Sequence, residues 1–412
     1  MSIGSLGVFL CLYLALYFEV FLLISFLEKK PHKKTALKPR RFPTVSIVVP
    51  AFNEERTIAA TLTSLLGLEY PKDKLNIIVV DDGSKDGTRG IAEQYAAEHP
   101  QISYHYKENG GKYTALNFGI EQSKAEFVGC LDADSFVAED ALIEVVKKFE
   151  EDESVHALMP VMKVSHPKSM LERMQAVEYT FGAFYKKMFD NLGALNVLPG
   201  PFSIYRRSVF ATIGPFHHAH NTEDMEIAFR MHKHGLKIVN AHNAFVQTTV
   251  PKTLRALLKQ RTRWSQGFLE NSRDYAYMYL NPRFGNFGLL VLPFGLAAFF
   301  LGLYTTAYAI YTVLHLIITQ VLDRWATQVP LITSFQLPHF DWFFLNTSMM
   351  TFTIIAVLGA TLTAILIGGR ISSTRLTLFS YVSYFTLFGF VAPMWLARAM
   401  WGAVRAKPTT WR

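Results

Sequence analysis

The distribution of apolar residues constrains this chain more than any other feature. Hydrophobic residues make up 50% of its 412 residues, and they are concentrated in four long runs. The runs occupy residues 3–27, about 285–320, 343–369 and about 376–404. Each is long enough to cross a bilayer as a helix, which takes about 20 residues. The segment 42–282 is charged and punctuated by Gly and Pro, so we expect it to fold as a globular domain.

The first run is expected to be a retained membrane anchor, residues 1–28. It is interrupted only by Glu19, and no basic segment precedes it and no small-residue cleavage pattern follows it, which argues against a cleavable signal peptide. Residues 28–41 then hold seven Lys or Arg against one acidic residue. The positive-inside rule therefore predicts a cytoplasmic globular domain at the plasma membrane.

The side of the C-terminus stays open. If each run crosses the membrane once, the last run ends outside the cell, and Arg405, Lys407 and Arg412 follow it there, against the positive-inside rule. Either the last run is partly interfacial or one run is miscounted.

The formal net charge of +8 and the two cysteines narrow the function classes. The charge is concentrated next to the membrane and near residues 260–264, which predicts contact with anionic lipid and an anionic substrate. No nucleic-acid-binding motif is present, so we expect no nucleic-acid partner. Cys11 and Cys130 are too few for a disulfide framework or a zinc site.

Strand and helix patterns alternate through the first half of the globular segment. Apolar β-branched runs predict strands at 45–49, 75–80, 102–106 and 127–131, and helical patterns lie at 54–66, 87–98 and 112–120. Such alternation with short loops predicts an α/β fold with a doubly wound sheet. Ligands of these sheets bind beyond the carboxyl ends of the strands.

Acidic side chains follow two of the predicted strands and are expected to converge on one crevice. Asp81 and Asp82 follow the second strand, and Asp132 and Asp134 follow the fourth. In such a crevice one carboxylate of the second pair can hold ribose while the other reaches Mg²⁺ or Mn²⁺, which prefer oxygen ligands. Asp82 can accept hydrogen bonds from a base such as uracil, although its motif also suits a plain turn. Lys112, at a helix start after two glycines, can meet phosphate or remain a solvated lysine.

A second acidic motif opens a later helix. Asn221 or Thr222 can serve as its N-cap, Glu223 and Asp224 lie in its first turn, and Gly235 closes it. Acidic residues are favoured at this end of any helix, so one of the two needs no functional role. The functional interpretation makes Asp224 a general base that removes a proton from a sugar hydroxyl.

Three residues near the end of the globular segment share one predicted helix face. Gln260, Arg263 and Trp264 are three and four residues apart and present an amide, a cation and a flat ring. That set suits a channel where a diphosphate meets a sugar, although an interfacial amphipathic helix would also explain it. Histidines at 217–220 lack the spacing of a helical metal pair and are expected to form a loop.

These motifs together resemble those of the processive family 2 glycosyltransferases, the cellulose, chitin, hyaluronan and poly-N-acetylglucosamine synthases. The resemblance covers about residues 44–270. In chain order it rests on Pro50-Ala51-Phe52-Asn53-Glu54, Asp81-Asp82-Gly83-Ser84, Gly111-Lys112, Asp132-Ala133-Asp134, Pro199-Gly200-Pro201-Phe202-Ser203, Thr222-Glu223-Asp224 and Gln260-Arg261-Thr262-Arg263-Trp264.

The resemblance implies a GT-A fold and a role for each motif. It assigns uridine to Asp82, nucleotide to Asp132, metal to Asp134 and the catalytic base to Asp224. It also implies substrate binding by Lys112, Glu223, Gln260, Arg263 and Trp264, with the arginine on the diphosphate and the tryptophan on the terminal acceptor sugar.

The expected protein is a membrane-embedded inverting β-glycosyltransferase. It would use a UDP-sugar, for example UDP-N-acetylglucosamine, with Mg²⁺ or Mn²⁺ to elongate a polysaccharide and extrude it across the membrane. Its expected domains are an anchor at 1–28, a cytoplasmic GT-A domain at 42–282 and C-terminal spans at 285–404. A small accessory membrane protein could complete the channel.

Two other functions stay open. One is the transfer of a single sugar to a membrane lipid, as in glycolipid synthases. The other is a catalytically idle translocation subunit that only binds the nucleotide sugar, against which the intact Asp134 and Asp224 argue.

Overall fold

The computed structural model describes residues 3–28, 39–328 and 348–405. The chain divides into two compact units, of which one comprises Met1–Ile24 with Gly295–Ala364 and the other Ser25–Phe294 with Ile365–Arg412. The basic positions 29–38 and the terminal cations Lys407 and Arg412, on which the sequence-based topology relies, lie outside the described residues.

Regular elements cover most of the described residues. The α-helices are α1 (Ile3–Glu28), α2 (Ile58–Leu66), α3 (Thr88–Glu98), α4 (Lys112–Gln122), α5 (Ala141–Glu151), α6 (Met170–Asn191), α7 (Ser208–Ile213), α8 (Glu223–Lys233), α9 (Leu254–Asp274), α10 (Leu292–Thr327), α11 (Met349–Ile371) and α12 (Leu378–Val404). The strands are β1 (Val45–Ala51), β2 (Leu75–Asp81), β3 (Ile102–Tyr106), β4 (Phe127–Cys130), β5 (Ser135–Val137), β6 (Val155–Val164), β7 (Ser203–Arg206) and β8 (Lys237–Thr248).

Four helices in the described part of the chain are long and apolar enough to cross a membrane, as the hydrophobic runs predict. They are Gly4–Leu27, Phe287–Thr327, Met349–Ile371 and Leu378–Val404. The second is longer than its predicted run because α10 continues to Thr327, and a π-helical turn, Phe287–Val291, lies at the start of that run. The last contains Pro393 within α12, at the position that the sequence indicates.

The first unit satisfies the one acidic residue of the first hydrophobic run. Thr361 Oγ1 in α11 donates to Glu19 Oε1 at 2.9 Å and lies 3.2 Å from Oε2, and Glu19 is only 7% exposed. A polar side chain in an apolar helix is expensive unless a neighbouring helix pairs with it. Tyr304 of α10 adds a second link by donating its hydroxyl to the Gly4 carbonyl at 3.2 Å.

The second unit is built on an eight-stranded sheet in the order β3-β2-β1-β4-β7-β6-β8-β5. Strands β1 to β4 are parallel, while β7 pairs antiparallel with β4 and β6, and β5 pairs antiparallel with β8. Alternate residues of β1 are buried on opposite faces, with Ile47 in one core cluster and Val48 in the other. Helices therefore cover both faces of the sheet, and the predicted α/β class is confirmed.

One helix boundary differs from the prediction. Helix α2 begins at Ile58 rather than near Glu54. The intervening residues form a turn, since Asn53 adopts a left-handed φ of 57° and the Glu54 amide donates to Thr88 Oγ1 at 2.7 Å. Asparagine tolerates this backbone region better than most residues.

Helices α6, α9 and α12 pack together beside the sheet. Their shared core includes Val177 of α6, Leu257 of α9 and Trp395 of α12. Ser169 and Glu172 form a capping box at the start of α6, and Thr253 Oγ1 accepts the Ala256 amide at the start of α9. These caps fix where the two helices begin. The start of each helix in turn determines which of its side chains face the adjoining cavity.

Candidate active site

A cavity of about 740 Å³ lies beyond the carboxyl ends of β1 and β4. Helices α6, α8 and α9 supply its other walls. Eight of the nine site residues that the sequence singles out line it: Lys112, Asp132, Asp134, Glu223, Asp224, Gln260, Arg263 and Trp264. Residues separated by up to 152 positions thus share one space, whereas Asp82 is not among the lining residues.

An ion cluster forms one end of this cavity. Lys112 Nζ lies 2.5 Å from Asp132 Oδ1 and 3.4 Å from Glu223 Oε1. Burial alone would lower the pKa of Lys112, but the carboxylates of Asp132, Glu223 and Asp224 overcome this effect and raise it. The lysine therefore remains a cation that holds the strand β4 end and the start of α8 together.

Gly200 permits this ion cluster. A Cβ at this position would collide with Lys112 Nζ and with both carboxylate oxygens of Asp132. The loop between α6 and β7 can approach the ion pair so closely only because residue 200 has no side chain.

Asp134 lies at the opening of the same end. Its Oδ1 accepts the Ser135 hydroxyl at 3.2 Å, and Thr249 Oγ1 lies 3.5 Å from Oδ2. Within the described ranges, no three His, Cys, Asp or Glu side chains are grouped to hold a metal ion by themselves. Two cavity carboxylates nevertheless fit Mg²⁺ or Mn²⁺, which commonly bind through one or two carboxylates together with substrate phosphates.

Asp224 sits in the first turn of α8 with its side chain in the cavity. Burial and the charge of Glu223 raise the pKa of the Asp224 carboxyl, while Lys112 and Arg263 act in the opposite direction. A carboxylate with a raised pKa is a stronger proton acceptor than an ordinary aspartate. The backbone carbonyl of Asp224 accepts the Leu198 amide at 2.9 Å, and this bond joins the first turn of α8 to the loop before β7.

Helix α9 anchors the start of α8 from the other side. Asn271 Nδ2 donates to Thr222 Oγ1 at 2.9 Å, and a Cβ on Gly267 would collide with the Thr222 side chain. Thr222 is the N-cap residue by position, but its hydroxyl donates to the Ala219 carbonyl rather than capping the helix. Sequence reasoning missed Gly267 and Asn271, although their spacing of four residues on the predicted helix was a usable signal.

Gln260, Arg263 and Trp264 reach the cavity together, as their helical spacing predicts. Within the described part of the chain, Gln260 Oε1 is buried with no hydrogen-bond partner. Arg261 was missed as a cavity residue, and only 4% of its side chain is exposed. Its spacing of three residues from Trp264 was a usable signal, because residues three apart share a helix face.

Asp82 has a different environment from the one predicted. Its Oδ1 lies 2.5 Å from Lys107 Nζ and accepts the Gly110 amide at 3.0 Å, and its Oδ2 accepts the Gly111 amide at 2.9 Å. The residue is only 1% exposed. In this arrangement Asp82 holds the glycine loop that precedes Lys112.

Lys186 and Asn240 are among the polar residues that line the cavity but do not belong to the sequence motifs. Burial lowers the pKa of Lys186 to about 8, although the negative charge of Asp224 partly offsets this effect. The Lys186 ammonium contacts the Met162 sulfur at 3.9 Å, a weak acceptor. Asn240 is 2% exposed, and its Oδ1 has no partner among the residues described.

The histidines of the 217–220 loop contact acidic residues outside the cavity lining. His220 Nε2 lies 2.8 Å from Asp274 Oδ2, and His217 Nδ1 lies 3.7 Å from Glu226 Oε1. The loop leads directly into Thr222, so these contacts help to place the start of α8.

Comparison with known proteins agrees with this geometry. Residues 46–214 match the family described as glycosyl transferase family 2. The chain is 30% identical over 246 residues to a poly-β-1,6-N-acetyl-D-glucosamine synthase of Staphylococcus epidermidis, covering 59% of each chain. It is 31% identical over 237 residues to the synthase of the same name from Staphylococcus aureus, covering 57% of each. The matched part thus spans less than two thirds of these relatives.

A solved structure extends the likeness of the fold to nearly the whole chain. It is a mannosyltransferase from Pyrobaculum calidifontis in complex with GDP-Man and Mn²⁺, with a TM-score of 0.62 and 19% identity. The alignment covers 97% of this chain and 99% of that one.

Proposed function

We propose, from the match of residues 46–214 to glycosyl transferase family 2, that the chain is a membrane-embedded, inverting β-glycosyltransferase. It elongates a polysaccharide from a UDP-sugar, with UDP-N-acetylglucosamine as the first donor to test, and extrudes the product across the membrane. The observation that carries the proposal is that a buried carboxylate, Asp224, shares one cavity with Lys112 and Asp134 on one side and Gln260, Arg263 and Trp264 on the other.

The proposed reaction is a single displacement at the anomeric carbon of the donor sugar. Asp224 removes the proton from an acceptor hydroxyl, whose oxygen then forms the bond to the anomeric carbon. The bond from that carbon to the diphosphate oxygen breaks, and the nucleoside diphosphate leaves with the electron pair. One base is sufficient for this step, and attack opposite the leaving group inverts the configuration.

The remaining cavity residues bind and orient the reactants in this proposal. Arg263 is placed to meet the diphosphate, since a guanidinium binds phosphate oxygens in pairs. Trp264 offers a flat surface to the terminal acceptor sugar. Asp134, with Asp132 beside it, would hold a divalent cation, which neutralises diphosphate charge when bound.

The four apolar helices support a membrane location, and the basic segment 28–41 supports a cytoplasmic catalytic domain. In this proposal the polymer leaves through the membrane helices of this chain, with or without a small accessory membrane protein. Membrane lipids surround the same helices.

The test is a panel of radiolabelled UDP- and GDP-sugars on membranes that contain the full chain, with Mg²⁺, Mn²⁺ or a chelator. We expect label from one UDP-sugar to enter high-molecular-weight material, and the chelator to abolish incorporation. Label confined to a small organic-extractable product would instead support transfer of one sugar to a lipid. No incorporation from any donor would overturn the proposal and favour a translocation subunit.

A further inference from the structure

The guanidinium of Arg261 lies over one face of the Trp264 ring. The two residues are three positions apart on α9, so they share a helix face. The Arg261 Cζ atom is 4.2 Å from the centroid of the Trp264 ring, and 5.9 Å from that of Tyr179 on α6. A guanidinium at such a distance is attracted to the face of an indole ring.

A carboxylate holds the guanidinium in this position. Arg261 NH2 donates to Glu178 Oε2 at 3.0 Å, and this ion pair joins α9 to α6. Glu178 lines the cavity and keeps 25% of its side chain exposed, whereas Arg261 keeps only 4%. Both side chains line the cavity, and the carboxylate is the more exposed of the two.

The arrangement is a poor choice for stability alone. Arg261 Nε and NH1 have no hydrogen-bond partner within the part of the chain that the structure describes. Buried donors without partners destabilise a fold, and apolar side chains of similar volume commonly replace a buried ion pair without loss. A cation at this place therefore points to a role in the site rather than in the core.

Covering one face of Trp264 leaves the opposite face as the one that can meet a ligand. Trp264 is half-buried and lines the cavity, which is consistent with one covered and one open face. Arg263 is two positions from Arg261 and so does not share its helix face. Both arginines of the motif line the cavity, and Arg261 is the one whose guanidinium covers a face of the Trp264 ring.

We propose that Arg261, held by Glu178, is a positioning residue that fixes Trp264 as a one-sided stacking surface for the acceptor sugar. The inference rests on the proposed function, because it presumes that a sugar acceptor enters the cavity. It adds to that function a specific division of labour between two neighbouring arginines.

The first test compares acceptor use and donor use in the purified full chain. Arg261→Lys keeps the charge but loses the planar, stackable group. With UDP-N-acetylglucosamine as donor and a β-1,6-linked N-acetylglucosamine tetrasaccharide as acceptor probe, we expect the acceptor KM to rise about 5- to 30-fold. Donor hydrolysis without acceptor should stay within about twofold of the parent, because Arg263 and the ion cluster are untouched.

Two further variants control this measurement. Arg255→Lys makes the same substitution at an exposed position of α9. It should leave both the acceptor KM and the rate of donor hydrolysis unchanged. Glu178→Gln keeps an acceptor for Arg261 but removes the charge, and should raise the acceptor KM by a smaller factor, about 2- to 5-fold.

The second test needs no activity. Acrylamide quenching of fluorescence reports how accessible the Trp264 ring is. The Trp264 contribution is the fluorescence of the parent minus that of Trp264→Phe, measured once with Arg261 and once with Arg261→Lys. We expect Trp264 to be quenched more strongly in Arg261→Lys, because one ring face loses its cover. If no donor supports transfer in the parent, the proposed function fails, but this measurement still decides where Arg261 holds the ring.

Two results would overturn the inference. One is an unchanged acceptor KM together with unchanged quenching of Trp264. The other is an equal loss of donor hydrolysis and acceptor transfer in Arg261→Lys, which would make Arg261 a general support of the fold.

Discussion

Charged and polar side chains are paired differently at the two ends of the cavity. We name the two ends by the ligands proposed for them. At the donor end, defined by Lys112, Asp132 and Asp134, the lysine forms ion pairs with Asp132 and Glu223, and Asp132 Oδ1 is satisfied by its ion pair rather than by a regular hydrogen bond. At the acceptor end, defined by Gln260, Arg261 and Trp264, the structure as described leaves Gln260 Oε1 and two Arg261 nitrogens without hydrogen-bond partners.

The difference indicates which end is complete before a ligand arrives. A buried polar network whose members are all paired is rigid, whereas unpaired buried groups favour any ligand or movement that pairs them. We therefore expect the donor end to be preorganised and the acceptor end to be completed by the incoming chain. Substitutions at the donor end should change donor use sharply, and those at the acceptor end should change acceptor use alone.

The largest effect is expected at Asp224, which lies between the two ends. Asp224→Asn keeps the size and polarity of the side chain but removes the base, so transfer should fall by about 10²- to 10⁴-fold. Nucleotide binding should persist, because Asp132, Asp134 and Lys112 are unchanged. Initial rates of label incorporation and equilibrium binding of UDP measure the two properties.

Asp73→Asn is the control for that substitution, since Asp73 is an exposed carboxylate in the turn before β2. Its turnover should equal that of the parent. Undiminished turnover in Asp224→Asn would show that Asp224 is not the base. The proposal that the two ends bind the two reactants of one reaction would then lose its central residue.

Gly200→Ala tests whether the donor end is as tightly packed as its geometry implies. The new Cβ would collide with Lys112 Nζ and with Asp132, so one of the two must move. Because both side chains line the proposed donor site, we expect kcat/KM for the donor to fall roughly 5- to 150-fold, which corresponds to about 1–3 kcal/mol of lost transition-state stabilisation.

Gly90→Ala provides the matched control, because a Cβ at Gly90 on α3 meets nothing within 4 Å. It should leave donor kinetics unchanged, or stabilise α3 slightly. If Gly200→Ala changes acceptor KM rather than donor kinetics, the assignment of the ends is reversed.

The sequence predicts the donor end better than the acceptor end, for a physical reason. Strands β1, β2 and β4 are largely buried on both faces, so they form nearly continuous apolar runs whose ends are easily located, and the acidic motifs follow the ends of β2 and β4. The crevice that contains Asp132 and Asp134 follows from this pattern. Its ion pair with Lys112 does not, because pairing depends on side-chain placement.

The acceptor end depends on packing between distant segments, which periodicity does not reveal. Helical spacing correctly places Gln260, Arg263 and Trp264 on the cavity. It gives no indication that Arg261 turns toward Glu178 on α6, or that Lys186 reaches the same cavity. The sequence likewise does not indicate that Asp82 is buried, because the Gly110 and Gly111 amides that enclose it come from another loop.

The pH dependence of transfer tests the electrostatic environment of Asp224. Burial and the charge of Glu223 raise the pKa of Asp224. If Asp224 is the proposed base, it can accept a proton only when it is ionised. Transfer should therefore fall about tenfold per pH unit on an acid limb that lies above the ordinary aspartate pKa of about 3.9.

Glu223→Gln should move this limb to lower pH. The substitution removes a neighbouring negative charge, so the Asp224 carboxylate forms more easily and its pKa falls. The position of the limb is the readout, measured as kcat from pH 4.5 to 7 in both proteins with saturating donor. An unmoved limb, or one displaced to higher pH, would contradict the proposed coupling of the two carboxylates.

The smallest effect is expected at Lys107, which pairs with Asp82 outside the cavity. Lys107→Met removes one of three donors to the Asp82 carboxylate and leaves the two glycine amides in place. Losing one such contact should raise the donor KM by less than about tenfold.

Lys112→Met provides the comparison, because it leaves Asp132, Glu223 and Asp224 without their shared cation and should be much more damaging. The selectivity between UDP- and GDP-sugars should be the same in Lys107→Met as in the parent, since the Gly110 and Gly111 amides still enclose Asp82. If Lys107→Met instead relaxed that selectivity, Asp82 would have to reach the base of the donor. The donor end would then rearrange on binding, and it would be no more complete beforehand than the acceptor end.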